Sequence, residues 1–239
     1  MARGQTLLKL LDDLRAECRL SPNPAHNAQQ RETQVRLLQR MQEWLYDDYN
    51  WPHLKIERTF PAQRGQRYYA LPKDIALERV LSLETRFGTR WLPVGTGIDN
   101  DCYAAIDSDG GQEGWPVRRW RIWEDDRIEL WPVPDQDAGT AGSAEGTVKV
   151  IGIRRLQPFR DDTDVCDLDD RLIVLYSAAE LLSASGAKDA PLKLQQAAAR
   201  YAKLKDDLSP RRRVQMFREC PERPPLRGMP MVDYRPGGE

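Results

Sequence analysis

FPAQRGQRYYALPKD, residues 60–74, is the stretch on which the fold turns. It reads as a short hairpin inside a chain that otherwise looks helical. LKIERT (54–59) leads into it, mixing apolar and charged residues. Gly65 can take a positive φ without steric cost and so supplies a turn. QRYYALP then rises as an aromatic run and stops at Pro72. Proline cannot donate to a sheet ladder, so this position suits a strand end or an edge. The segment holds no nucleophile, metal ligand or phosphate cradle, so its purpose has to be read from its surroundings.

On the N-terminal side the period is helical. Thr6 is placed to cap a helix in which Leu7, Leu10, Leu11 and Leu14 form one stripe. The loop LSPNPAHN (20–27) follows. A long second helix runs to Tyr49 with Leu37, Leu38, Met41, Trp44, Leu45 and Tyr49 on one face. Asn50-Trp51-Pro52 ends it, because the residue before proline resists the α region.

On the C-terminal side the period drops toward two, from Lys55 to about Gln157. RVLSLETRFGTRWLPV (79–94) predicts two short strands around Phe87-Gly88. WPVRRWRIWEDDRIELWPVP (115–134) is the clearest hairpin, and TVKVIGIRRL (147–156) is a further strand. Helices then return. In one, Leu168, Leu172, Leu175, Ala179 and Leu182 form a stripe that closes at Gly186, suited to the C′ position. In the other, capped at Asp189, Leu194, Ala198, Tyr201 and Leu208 face one way, and Ser209-Pro210 ends it. The expected fold class is α+β. A discontinuous four-helix bundle (1–54 plus 163–208) carries an inserted antiparallel β module (55–162). An extended C-terminal tail (209–239) lacks any usable period, so it is expected to stay disordered until assembly.

Composition narrows the function. Of 239 residues, 40% are hydrophobic and 31% charged, yet the net charge is only −1, so no global basic field invites nucleic acid. Cys18, Cys102, Cys166 and Cys220 are isolated, and with only His26 and His53 beside them no zinc spacing exists. GTGID (95–99) lacks the third glycine and the helix of a dinucleotide motif. The six acids within 161–170 lack the glycine and glutamate of an EF-hand; helix capping accounts for Asp167, Asp169 and Asp170. Neither histidine has a Ser or Cys at a spacing that suggests a triad. No catalytic, cofactor or metal-binding residue is assigned, and the chain is read as no enzyme. No run approaches the roughly 18 apolar residues of a membrane span. The N-terminus lacks a signal-peptide pattern, so the chain is expected to stay in the compartment where it is made.

Two groups of residues look like interface anchors. Trp115, Trp120, Trp123 and Trp131 crowd one hairpin. The tail mixes Arg211, Arg212, Arg213 and Arg218 with Met216, Phe217, Met229 and Tyr234. The arginine run could alternatively contact nucleic acid, but no stacking residues are interleaved with it.

The ordered layout resembles the tailed-bacteriophage adaptor, or head–tail connector, proteins. The resemblance rests on TLLKLLDDLRAE, WLYDDYNWPHL, FPAQRGQRYYALPKD, RWRIWEDDRIELWPVPD, RRLQPFRDDTDVCDLDDRL and LYSAAELLSASGAKDAPLKLQQAAARYAKL, in that order, across residues 5–208. The acidic insertion IDNDCYAAIDSDGGQEG (98–114) and the long tail depart from the family pattern. The resemblance implies a structural virion-neck protein made in the host cytoplasm. Its copies, twelve on this reading, would form a ring between the portal protein and the next tail or nozzle protein. Genomic DNA would pass through without tight binding. The bundle side would build the ring, the tail residues would reach the portal, and the tryptophan hairpin would help dock the tail component. A tail-tube or nozzle protein of similar topology is the alternative, and a nucleic-acid-binding protein using the basic tail is a further one.

Overall fold

The structure, a computed structural model, describes residues 3–21, 23, 30–139 and 146–208. Helix α1 (Leu7–Glu17) buries Leu7, Leu10, Leu11 and Leu14 completely, as their spacing predicts. Each such burial contributes about 1.5–3 kcal/mol. Thr6 occupies the cap, but its side chain makes no capping bond. The leading amides are satisfied from the far end of the fold instead. Leu7 N–H donates to the Asp164 carbonyl at 2.8 Å and Leu8 N–H to that of Asp162 at 3.2 Å. Helix α2 (Arg31–Asp48) follows.

Seven strands come next: β1 (Lys55–Pro61), β2 (Tyr68–Ala70), β3 (Ile75–Phe87), β4 (Arg90–Thr96), β5 (Arg119–Trp123), β6 (Arg127–Trp131) and β7 (Thr147–Arg154). A short helix, α3 (Asn100–Ala105), sits between β4 and β5. The strands form one sheet in the order β1-β7-β3-β4-β5-β6-β2.

Residues 60–74 are therefore not a hairpin. β1 pairs with β7 and β2 with β6, so the segment joins the two outer strands of the sheet. Seven strands laid flat would separate those edges by roughly 29 Å. The link from Pro61 to Tyr68 spans about 24 Å even when fully extended. The sheet must curl, and it does: the Phe60 and Tyr69 rings, from the two edges, lie 5.2 Å apart. Gly65, at φ +71, makes the expected turn, but the turn lies in this closing link. The link is pinned by Ala62 N–H to the Gly146 carbonyl (2.8 Å) and Gly65 N–H to the Pro134 carbonyl (2.9 Å).

The predicted β3–β4 and β5–β6 hairpins form. The module is not wholly antiparallel, however. β4 and β5 run parallel, with Gly95 opposite Arg119 and Thr96 opposite Trp120. Parallel neighbours need a crossover of a dozen residues or more, and the acidic insertion with α3 lies within that crossover.

β7 joins two cores. Val148 and Val150 belong to the sheet cluster with Leu83, Val94, Trp120 and Leu130. Ile153 belongs to the helical cluster with Leu38, Leu45, Trp51 and Leu172. At Gly152 a Cβ would come within 2.6 Å of Ile75 Cγ2, so β3 and β7 approach there as only glycine allows.

Helix α4 (Asp170–Ala184) packs against α1, α2 and α5 (Ala190–Leu208). The sequence period predicts a single stripe on α4. Instead Leu172, Ile173, Val174, Leu175, Ser177, Ala178 and Ala179 are all buried, as befits a helix with neighbours on several sides. On α5 the expected face is rotated: Ala190, Ala197 and Leu204 are buried, while Leu194 is 51% exposed. Residues up to Leu208 group as one compact unit.

Candidate functional site

The misplaced apolar residues define the site. Trp44 of α2, expected in the core, is 47% exposed, and Leu194 of α5 is 51% exposed. Both line one trough of about 550 Å³ between α2, α4 and α5, together with Met41, Tyr176, Ala179, Glu180, Ser183, Ala190 and Pro191. Its floor is α4, where Ala179 and Ser183 stand four apart on one face and are too small to fill the gap. Glu180, paired with Arg40, also lines a neighbouring depression of about 500 Å³ with Leu37, Leu181 and Ala184.

One wall of the trough is an aromatic cluster. The Trp44 and Tyr176 rings meet edge-on at 5.3 Å, and Tyr201 lies 6.4 Å from Trp44 and 6.1 Å from buried Trp51. Trp51 is fixed by its Nε1–H, which donates to the Leu45 carbonyl at 2.9 Å. The Tyr201 hydroxyl donates to Asp48, and Lys205 Nζ reaches the same carboxylate at 2.7 Å. Those two hydrogen bonds, Lys205's first, hold Asp48 below the usual carboxylate range. Burial pushes the Tyr201 phenol up to about 12. The cluster thus stays in one charge state through the neutral range.

The acidic run 161–170 is spent inside the fold. Asp162 pairs with Arg31 and Asp167 with Arg154. Asp164 accepts from the Arg160 and Asp161 amides. Asp169 caps α4 through Leu172 N–H at 2.9 Å and receives the Arg200 guanidinium at 2.8 and 2.7 Å. Asp170 accepts from Gln5 N–H, and burial lifts its carboxyl above the usual range. Among the described residues no group of three or more His, Cys, Asp or Glu is placed to hold a metal ion. His53 donates through Nε2 to the Asp167 carbonyl at 2.9 Å. His26 lies outside the described residues.

The four tryptophans of the hairpin separate. Trp120 and Trp131 are buried, Trp115 is half-buried against the sheet core, and Trp123 alone of the four is exposed. Trp123 stacks on Tyr68 at 5.8 Å and carries the Arg121 guanidinium 4.4 Å above its ring. Trp131 Nε1–H donates to the Ile106 carbonyl at 3.1 Å and so ties down the insertion. A feature that pattern reading missed completes this anchorage. Glu129, fully buried, accepts from Arg67 Nε and Arg121 Nε, each at 2.6 Å, and from the Tyr103 hydroxyl of α3 at 2.9 Å. The alternation of β6 places Glu129 on the face opposite Ile128 and Leu130, but nothing in that alternation marks the face as covered. Arg211, Arg212, Arg213, Met216, Phe217, Arg218, Met229 and Tyr234 lie outside the described residues.

A unit whose 161–170 acids go largely to caps and ion pairs, and whose helical side leaves an aromatic trough open, has the make-up of an assembly component. Comparison with protein families names the kind: the SU10 adaptor protein family model matches residues 5–225, and the chain belongs to that family of phage head–tail adaptors. No curated protein matches the chain. The family is structural, its members are virion components that contact other virion proteins, and the resemblance read from the sequence motifs is thereby established. No helix among the described residues is long and apolar enough to cross a membrane.

Proposed function

We propose that this adaptor assembles as a ring of twelve copies between the portal and the tail and continues the DNA channel. The four long helices act together as a discontinuous bundle on the ring-building side. The exposed Trp123–Tyr68 stack offers the sheet module's contact to the next tail or nozzle protein. The C-terminal segment, through its arginines, methionines and aromatics, reaches the portal. The observation that carries this reading is the open trough at Trp44, Tyr176 and Leu194 in a chain of an adaptor family. Exposed aromatic grooves of this kind mark protein interaction sites. The family match continues past Leu208 to residue 225, so Arg211, Arg212, Arg213, Met216, Phe217 and Arg218 fall inside it, while Met229 and Tyr234 fall beyond.

Deletion after Leu208 tests the portal contact. The truncated chain is expected to keep its circular dichroism spectrum, because the described unit ends there, and to lose retention by portal rings in a pull-down. Decoration of the portal at wild-type occupancy would move the anchor to the helical face around Tyr201.

A further inference from the structure

We infer that the trough between α2, α4 and α5 receives the β3–β4 hairpin tip of a neighbouring copy; this rests on the ring reading above. Phe87 stands at that tip, 48% exposed, beside Gly88 at φ +57. Arg79, on the same strand, is bound to the end of α2 through the Tyr46 carbonyl and Asn50 Oδ1. Eight residues of strand carry Phe87 about 26 Å from that point. Trp44 and Leu194 correspondingly remain exposed, with no cover among the described residues.

The charges match. At the tip, Glu84 is neutralised by Lys149 at 2.6 Å, whereas Arg86 bonds the Gly88 carbonyl and lies over the Trp91 ring at 5.3 Å, and neither it nor exposed Arg90 has an acidic partner among the described residues. At the trough, Asp48 is balanced by Lys205 and Glu180 by Arg40. Among the described residues Glu43 accepts from Gln39, and neither it nor Asp47 has a cationic partner. Two uncompensated cations flanking an exposed phenylalanine thus face two uncompensated acids beside an apolar trough, at the negative end of the α2 dipole. Tip and trough are different surfaces of one chain, so their contact is head-to-tail, the kind that closes rings.

The test places the photocrosslinker p-benzoylphenylalanine at position 194, which is exposed, and irradiates rings assembled on the phage's own portal protein. Mass spectrometry of mixed light and heavy copies is expected to show adducts between position 194 of one copy and residues 84–91 of another. Phe87→Asp, also at an exposed site, is expected to raise the assembling concentration roughly 30-fold, the size of an interface hot spot. Rings that form normally with Phe87→Asp would overturn the inference and leave the ring reading standing. Adducts to residues 209–239, to the portal or to another part of the ring would do the same. Failure of the wild-type chain to form rings on the portal would overturn both.

Discussion

At the scale of single residues, the least legible feature is also among the most consequential. Glu129 looks like an outward charge on an alternating strand, yet it is fully buried beneath Arg67, Arg121 and Tyr103. Its burial depends on a helix 24–29 positions earlier in the chain, which no local period reports. Glu129→Gln is expected to cost about 3 kcal/mol, because two guanidinium groups lose their shared anion. Urea titration reads the loss, and hydrogen exchange should show residues 100–106 released first. Unchanged exchange there would contradict the assigned anchorage. His53 gives a pH signature. Burial first, then the Arg3 and Arg154 charges, hold its imidazole below the ordinary value near 6.5. The unfolded chain therefore takes up the proton before the folded one. The stability this group contributes is whole above about pH 6.5 and is lost as pH falls through the folded value. Melting temperatures from pH 7.5 to 5.5 should fall less steeply for His53→Gln than for wild type; parallel curves would contradict the assignment.

At the scale of elements, the helical period marks α1, α2, α4 and α5 where they lie, while alternation underreads the sheet: β3 begins at Ile75, four residues before the strand the pattern marks. What the period could not supply is the number of neighbours each helix has. α4 is covered on several sides and α2 and α5 on fewer, so Trp44 and Leu194, apolar and in phase, stay outside. The link at 60–74 failed for a related reason. A glycine turn between two aromatic-rich arms looks the same whether the arms pair together or close a curled sheet from its two edges. Half of the site was thus legible as residue types, and its geometry was not. Filling the trough from its floor separates its role from stability. Ser183→Leu places a larger side chain at an exposed helical position, so stability should change by no more than about 0.5 kcal/mol. Ring yield on the portal, counted by electron microscopy, should drop. Full yield with a folded Ser183→Leu chain would remove the trough from the assembly surface.

At the scale of the whole molecule, two cores share strand β7, so the helical and sheet parts belong to one compact unit up to Leu208 rather than being strung on a linker. The near-zero net charge suits the proposed ring, in which interfaces would need complementary patches and a channel would have to let DNA slide. Electron microscopy of the full chain mixed with its portal protein should show a twelvefold ring seated on the portal's tail-facing end, with the trough at Trp44 and Leu194 covered by protein density. A chain that stays off the portal, or binds it as scattered single copies with the trough open, would contradict the account.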